Sequence, residues 1–344
     1  MIVSLIKNVN YIYISLHAEE VITSNYIKDN NDGIFVSSLQ FETIERLYNF
    51  LKESSFEEQK YIVLDFRNIK HIQANIITKI INIRDLGYKL IFKNISLEIH
   101  DSLSINVIVN DNNLKNTSDG YDTFYYFTSE SEEIYSVDLD EKYIFNKEFE
   151  RILKEKNYIC EYKKKHASSF IYLHSFIDLK KFISHEHPFV YFALYKLAMK
   201  VKYKWRKEIG NNPILVSQSL TSTFIVSVLS NLLKLDILVF DKIGPITKLY
   251  NKLEKHNFNK RKYIVVSDLV CLGTEVKITK NLIEFSGGQY LGNVSLVKIE
   301  TLNREDLNLE NIDRTISIFS VTNENNKELN YFIYTNLNPL SVNG

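Results

Sequence analysis

Several features that would assign this chain to a familiar class are scarce or absent. Its two cysteines, Cys160 and Cys271, lie far apart and form no CxxC pair, so the sequence indicates neither a disulfide framework nor a cysteine zinc site. The 42 basic residues are balanced by 42 acidic ones, and the formal net charge of zero provides no global field to attract polyanions. We therefore expect no nucleic-acid partner.

A long, uninterrupted apolar run is missing as well. The first seventeen residues contain Lys7 and two asparagines, which do not fit the continuous apolar core of a signal peptide. The most apolar later stretch, FIVSVLSNLLKLDILVF, contains Asn231, Lys234 and Asp236 and is too polar to span a bilayer. The sequence thus predicts a soluble, cytoplasmic protein with no membrane partner.

What is present indicates two α/β domains. A chain of 344 residues with 45% hydrophobic and 24% charged residues exceeds what one core usually organises. In the first hundred residues, the strand candidates YIVLDF (61–66) and YKLIF (88–92) alternate with the helix patterns FETIERLYNFL and 73–85. This alternation predicts a small α/β domain over 1–105.

Polar and acidic runs follow this first domain. NDNNLKNTSDG and SESEEIYSVDLDEK contain turn residues and many charges, and they predict a surface connector over 106–160; the alternative is an acidic interaction motif. Within the connector, KEFERILKEK (147–156) has the pattern of a bridging helix. The second domain is then expected over 161–344.

The second half contains two strand-helix-strand units. ILVSQ (214–218), a helix and DILVF (236–240) form the first; YIVVS (263–267), a helix and LGNVSLVKI (291–299) form the second. HPFVYFALYKLAMKV precedes them as a long helix candidate with a proline near its first turn. Short apolar strands separated by helices predict a mostly parallel sheet with helices on both faces.

The stretch YIVVSDLVCLGTEVK (263–277) is the strongest candidate site. It passes from an apolar strand through a short turn into a helix, at the sheet edge where helix N-termini point unpaired N–H groups outward. Gly273 allows a close backbone approach, Thr274 adds a hydroxyl donor, and Asp268 could orient sugar hydroxyls or help to hold Mg²⁺. A phosphate site is one interpretation; a structural loop with Thr274 as N-cap is the other.

This stretch resembles the ribose-5-phosphate-binding loop of type I phosphoribosyltransferases, and the orotate phosphoribosyltransferase branch in particular. In that family four apolar residues precede two acids, a short segment, Gly and Thr. ILVSQSLTST falls where the family has its pyrophosphate loop, and the resemblance covers about 166–300. It implies ligand-binding residues Ser267, Asp268, Cys271, Leu272, Gly273, Thr274, Ser217, Ser219, Thr221 and Ser222.

Three positions depart from the family's pattern. Ser267 stands where the first acid is expected, Cys271 where a Thr is usual, and Thr221 where a Lys or comparable group is expected. Each lost charge-assisted contact weakens binding by roughly 1.5–3 kcal/mol. The segment 241–262 corresponds to the family's mobile catalytic loop, in which Lys242, Lys248 or Lys252 would close over phosphates; the alternative is solvated lysines on a surface helix.

Two functions follow from the resemblance. The favoured one is a regulatory or sensing protein that binds a phosphoribosyl ligand, either diphosphoribose or a nucleotide monophosphate. The alternative is an active phosphoribosyltransferase, with Asp268 and Lys242 in catalytic roles, that transfers phosphoribose to a nucleobase-like acceptor. Whether the chain is an enzyme stays open, Mg²⁺ is implied only with diphosphoribose, and a homodimer is expected.

Two further patterns have plain interpretations that we prefer. Cys271 near a helix N-terminus could be a nucleophile, but no His lies near it in the sequence, and a small buried apolar side chain is the other interpretation. His185-Glu186-His187 suggests metal ligands, yet side chains at i and i+2 do not share a helix face. A polar helix entry is therefore expected there.

The first half resembles a STAS-type domain of the anti-sigma-factor antagonist kind. Asp65 matches the acid that ends a strand in those domains, whereas Gln73-Ala74-Asn75 occupies the turn where they carry a phosphorylatable Ser. The resemblance implies a regulatory module that binds a protein partner through the 73–85 helix. An accessory domain that packs on the second half or forms a dimer is the alternative.

Overall fold

A computed structural model divides the chain into two compact units, Met1–Glu148 and Phe149–Gly344. Secondary structure is present in both units. The residues that the structure describes are 4–7, 11–16, 38–39, 41–53, 61–66, 69, 71–72, 74–95, 99, 122–126, 141–160, 164–165, 172–173, 176–240, 258, 260–299, 315–321 and 332–333.

The first unit contains a mixed sheet with a parallel centre. Its elements are β1 (Ser4–Lys7), β2 (Tyr11–Ser15), β3 (Ser38–Leu39), α1 (Phe41–Glu53), β4 (Tyr61–Asp65), β5 (His71–Ile72), α2 (Ala74–Asp85), β6 (Lys89–Ile95) and β7 (Asp122–Tyr126); α3 (Glu141–Glu155) crosses the unit boundary. Five strands form a sheet in the order β1-β2-β4-β6-β7, and β3 pairs with β5. Strands β2, β4 and β6 run parallel, and the edge strands β1 and β7 are antiparallel to their neighbours. The predicted α/β class is confirmed, and β7 lies within the segment predicted as a connector.

Helices α1 and α2 pack together on one face of this sheet, where the predicted apolar positions are buried. Ile62 and Leu64 alternate with residues of the opposite face and join the core formed with the helices, as period-two patterning requires. The helix residues in this core are Ile44, Leu47 and Leu51 of α1 and Ile76, Ile80 and Ile83 of α2, with Tyr48 packed against them. Helical spacing in the sequence therefore identified this face correctly.

A polar group is buried at the end of the central strand β4. Asp65 is 1% exposed and accepts hydrogen bonds from the Tyr13 hydroxyl and from Asn94 Nδ2, the latter at 2.8 Å. Tyr13 lies on β2 and Asn94 on β6, so the carboxylate connects three adjacent strands. A buried carboxylate needs such donors because an unpaired charge in the interior is costly.

The second unit contains a fully parallel sheet. Its elements are β8 (Ile159–Cys160), β9 (Lys164–Lys165), β10 (Tyr172–Leu173), β11 (Phe176–Ile177), α4 (Leu179–His185), α5 (His187–Lys204), α6 (Arg206–Ile209), β12 (Ile214–Ser217), α7 (Leu220–Leu233), β13 (Ile237–Val239), β14 (Lys262–Val270), α8 (Thr274–Phe285), β15 (Gln289–Ile299), β16 (Thr315–Val321) and β17 (Phe332–Ile333). The main sheet has the order β13-β12-β14-β15-β16, and each neighbouring pair is parallel. The predicted parallel sheet is thus confirmed.

Helices cover both faces of this sheet. From β12 the chain moves to one side through α7, whereas from β14 it moves to the other side through α8. Right-handed crossovers in opposite directions place the two helices on opposite faces. The α8 face carries an apolar cluster in which the register partners Val216 and Val265 pack with Val276 and Ile283 of the helix. The long α5 begins with Pro188 in its first turn, as predicted.

The strands of the main sheet end at different heights, which the sequence did not predict. Strand β12 ends at Ser217, whose register partner is Val266, and β14 continues from there to Val270 rather than ending near Ser267. Pairing with the long β15 supports this extension, since Leu269 and Val270 face Val297 and Lys298 in register. The upper part of β14 therefore stands beyond the end of β12.

Within the described part of the chain, no helix has the length and apolar character needed to cross a membrane.

Candidate functional site

The strand order reverses direction between β12 and β14, the point at which open α/β sheets form a ligand-binding crevice. The chain leaves β12 toward one sheet edge and β14 toward the other, and ligands in open α/β sheets bind outside the carboxyl ends of strands at such a reversal. The segment that leads into α7 follows β12, and the turn 271–273 follows β14. The structure thus brings the two predicted ligand loops to the same edge, on either side of the crevice.

The N-terminus of α8 is open at this edge. Gly273 is its N-cap residue with φ 70° and ψ 19°, a left-handed conformation that glycine adopts without strain, and a Cβ added there would meet nothing within 4 Å. No side chain caps the helix. Its first amides therefore lack intrahelical partners, and the helix dipole favours an anion beside them. Thr274 is half-buried rather than enclosed in the core, although the acidic Glu275 in the first turn opposes an anion.

The N-terminus of α7, in contrast, is closed by its own side chains. Ser219 accepts from the Ser222 amide at 3.1 Å, and Ser222 Oγ in turn accepts from the Ser219 amide at 3.0 Å, which is a complete capping box. Thr223 Oγ1 donates to the Ser219 carbonyl at 2.8 Å and therefore accepts from Ser217 Oγ at 2.9 Å. The predicted pyrophosphate loop consequently uses its three serine hydroxyls and that of Thr223 in local hydrogen bonds, and Thr221 is half-buried beside them. Residues 214–233 include no ionisable side chain.

Gln218 links the end of β12 to α8 and was not identified from the sequence. It directly follows β12, is 8% exposed, and its side-chain oxygen faces the Thr279 hydroxyl of α8, which lies 61 positions later in the chain. Thr279 Oγ1 also reaches the Glu275 carbonyl at 2.9 Å. The available signal was period-two alternation, which places Gln218 on the same face as Val216. It fixes α8 to the end of β12.

Ser267 and Asp268 differ sharply in environment. Ser267 lies inside β14, is 3% exposed, and its hydroxyl has no hydrogen-bond partner among the described residues. Asp268 is half-buried, and its Oδ1 accepts from the Leu269 amide at 2.8 Å. Asp268 is therefore the more accessible of the two side chains that the resemblance assigns to the ligand.

The turn before α8 begins with Cys271 and Leu272. Cys271 is a free, buried thiol, and burial raises its pKa from 9.0 to about 12. The thiol therefore stays protonated at neutral pH, which favours the interpretation as a small buried side chain over that as a nucleophile. Leu272 is 37% exposed, so this apolar side chain is accessible at the edge of the crevice.

Stability is expected to fall at alkaline pH because of Cys271. Below pH 9 the thiol is protonated in both the folded and the unfolded chain; between pH 9 and about pH 12 the unfolded chain loses this proton and the folded chain keeps it. The free energy of unfolding should decrease over this window by up to about 1.4 kcal/mol per pH unit. Urea titrations at pH 8, 9 and 10 would measure the slope, and Cys271→Ala and Cys271→Ser should both reduce it. An unchanged slope in the two variants would contradict the assignment.

Of two other predicted features, the structure describes one, the polar helix entry at His185-Glu186-His187. Lys242, Lys248 and Lys252 lie outside the described residues. The His185-Glu186-His187 segment forms the junction of α4 and α5: His185 Nδ1 lies 2.8 Å from the Lys181 carbonyl, and Glu186 accepts from the Tyr158 hydroxyl at 2.8 Å. Burial, followed by this bond and the Glu186 charge, raises the pKa of Tyr158 to about 12. No cluster of three or more potential metal ligands occurs among the residues that the structure describes.

Comparison with known proteins finds similarity at the level of solved structures. No protein-family model and no curated protein matches the chain. An orotate phosphoribosyltransferase from Aeropyrum pernix is 14% identical, with 50% of this chain and 93% of that chain covered and a TM-score of 0.36. The orotate phosphoribosyltransferase of Mycobacterium tuberculosis H37Rv, solved with inorganic phosphate, is 14% identical; 50% of this chain and 94% of that chain are covered, and the TM-score is 0.35. An adenine phosphoribosyltransferase from Thermoanaerobacter pseudethanolicus is 16% identical; 48% of this chain and 96% of that chain are covered, and the TM-score is 0.34. At these identities and TM-scores the likeness assigns neither a family nor an activity to this chain.

Proposed function

We propose that this protein binds a phosphoribosyl ligand in the crevice between β12 and β14, with the phosphate at the N-terminus of α8, and that it serves a regulatory or sensing role. The observation that carries the proposal is the left-handed, uncapped Gly273 at this edge. The backbone amides that follow it and the Thr274 hydroxyl are donors of the kind that phosphate oxygens accept. Asp268 is close in the sequence and half-buried, and its carboxylate would accept hydrogen bonds from ribose hydroxyls.

Binding without transfer is favoured by the loop before α7. The three serine hydroxyls and that of Thr223 are engaged within the loop, and residues 214–233 carry no positive charge that would neutralise a diphosphate. Transfer chemistry depends on electrostatic stabilisation of the leaving pyrophosphate. Ser267 adds to this argument because a buried hydroxyl stands where the resemblance implies a carboxylate.

The active enzyme is the second candidate, and the accessibility of Asp268 supports it. In that case Lys242 would supply the missing positive charge. Pyrophosphate release from diphosphoribose with a panel of nucleobases would decide between the two candidates. Release that disappears in Asp268→Asn would establish the enzyme, and ligand binding without release would establish the sensor.

Magnesium fits the chain's own residues poorly. Asp268 is the one carboxylate between Ser267 and Thr274, and the described residues contain no converging set of three metal ligands. Mg²⁺ prefers six oxygens in near-ideal geometry, so a diphosphate ligand would have to provide most of them. We therefore propose Mg²⁺ only together with diphosphoribose. A homodimer, a protein partner bound through the first unit, and a cytoplasmic location stay predictions.

The ligand site can be tested by thermal shift with a matched pair of variants. Ribose 5-phosphate, nucleoside monophosphates and diphosphoribose, each with and without Mg²⁺, should raise the Tm of the wild type by mass action if they bind. Thr274→Glu places a negative charge at the first position of α8, where it stabilises the helix but repels phosphate. Loss of charge-assisted contacts worth about 1.5–3 kcal/mol should weaken binding roughly 10- to 100-fold.

Asn281→Glu is the control for this variant. Asn281 is exposed in the same helix and receives the same charge change, but it lies two turns from the crevice. Its ligand response should match that of the wild type. If none of the compounds shifts the Tm of the wild type, or if both variants respond alike, the phosphate is not bound at Thr274.

A further inference from the structure

A buried polar layer lies between the main sheet and α8, below the crevice. Four side-chain atoms in it have no hydrogen-bond partner among the described residues, and each belongs to a residue that is at most 8% exposed. They are Gln218 Nε2, Ser267 Oγ, Asn293 Nδ2 and Ser295 Oγ. Leaving polar atoms dry in an interior is unfavourable, so native proteins leave few of them unsatisfied.

The register of the strands places these residues side by side. Val216 pairs with Val265 and Val265 with Asn293, while Ser267 pairs with Ser295. Both valines belong to the apolar cluster beneath α8, so the residues two positions later, Gln218 and Ser267, share the α8 face. Neighbouring strands are about 4.8 Å apart. The polar side chains therefore form one contiguous patch across β12, β14 and β15.

Counting protons shows that rotating the amides does not satisfy the layer. Thr279 has one hydroxyl proton, which can go to Gln218 Oε1 or to the Glu275 carbonyl. If the proton goes to the carbonyl, the Gln218 amide must rotate so that its nitrogen donates to Thr279 Oγ1. The Gln218 oxygen is then the atom without a partner. Asn293 behaves alike, because its oxygen accepts from Thr315 at 2.7 Å and turning the amide only exchanges which atom lacks a partner. Ser267 Oγ and Ser295 Oγ have no hydrogen-bond partner among the described residues.

We propose that ordered water molecules occupy this layer and bridge Ser267, Ser295 and the amides of Gln218 and Asn293. The occupant is neutral because none of these four residues has an ionisable side chain, and it is small because the four unpaired atoms are closed off from solvent. Hydroxyl and amide groups in adjacent register positions provide the two to four polar partners that a buried water requires. Water then links the end of β12 to β14 and β15 beneath α8, beside the apolar contacts of Val276 and Ile283.

The water layer does not depend on what the crevice binds. In the unliganded protein Ser267 holds this water. The same water explains why β14 and β15 carry serines at paired positions within otherwise apolar strands.

A crystal structure of the wild type, combined with one substitution, tests the proposal. We expect a water oxygen within hydrogen-bond distance of Ser267 Oγ and Ser295 Oγ. Ser295→Ala removes a partner of that water and should lower the Tm by about 2–4 °C, the usual response of a unit of this size to a lost hydrogen bond. Thr43→Val is the control. Thr43 Oγ1 lies in the first unit, outside this layer, and also has no partner among the described residues, so its loss should leave the Tm unchanged or raise it.

Three results would overturn the proposal. One is a dry layer in the crystal, with the hydroxyls turned toward protein acceptors. Another is a Tm for Ser295→Ala that equals or exceeds that of the wild type. The third is an equal loss in Thr43→Val, which would show that deletion of any buried hydroxyl has this effect.

Discussion

Asp65→Ala should destabilise the first unit by about 2–5 kcal/mol, since it removes the acceptor of two buried donors. A buried donor that loses its acceptor costs about 1–3 kcal/mol. The carboxylate is 1% exposed and accepts from Tyr13 and Asn94 on the two flanking strands. A loss of this size is a large fraction of the about 5–15 kcal/mol that holds a typical domain folded. Urea unfolding followed by circular dichroism would measure it, with a separate transition allowed for each unit.

Asp85→Ala provides the matched comparison in the same unit. This variant makes the same substitution at a surface residue, because the Asp85 side chain is 55% exposed and pairs with Arg84. Exposed ion pairs are worth about 0–1 kcal/mol, so this variant should stay close to the wild type. If the two alanine variants unfold at the same urea concentration, Asp65 does not hold the three strands together.

Gly288→Ala is expected to destabilise the second unit by about 1–3 kcal/mol through overpacking. A Cβ at this position would lie 2.7 Å from Tyr263 Cε2 and 2.8 Å from Ile283 Cγ2. Both neighbours are fully buried, between the sheet and α8, so they have little freedom to move aside. Thermal or urea unfolding of the full chain would detect the loss, and Gly288→Val should cause a larger one.

Gly210→Ala is the control, and its expected effect has the opposite sign. Gly210 has φ −59° and ψ −17°, which alanine adopts without strain, and an added Cβ would lie 3.7 Å from its nearest neighbour. Alanine reduces the freedom of the unfolded chain, so this variant should gain about 0.4–1 kcal/mol. Equal stabilities for the two variants would mean that Tyr263 and Ile283 yield to the extra methyl group.

The elements of this protein were predictable because their signals are local. The positions of Ile44, Leu47 and Leu51 on one side of α1, and the two strand-helix-strand units of the second half, follow from periods of 3.6 and 2 within a single stretch of chain. The turn at Gly273 was predictable for the same reason, since a glycine before a helix marks a change of backbone direction.

The site was less predictable because its properties depend on distant residues. Ser267 was predicted as the last residue of its strand and as a ligand-binding residue, but β14 continues past it, and pairing with β15 buries its hydroxyl. The serines before α7 appeared as phosphate donors, whereas the folded loop uses them to cap a helix. Gln218 went unnoticed because its partner Thr279 is 61 residues away.

The sequence by itself therefore determined the α/β class, the strand-helix-strand units and a glycine directly before α8. Only the tertiary structure decided that β14 extends beyond the end of β12. It also decided that side chains cap the N-terminus of α7 but not that of α8, and that a polar layer lies beneath the crevice. The physical reason is the range of the interactions: periodicity and turn chemistry act within a few residues, whereas strand ends, burial and hydrogen-bond partners are fixed by segments that meet only when the sheet has formed.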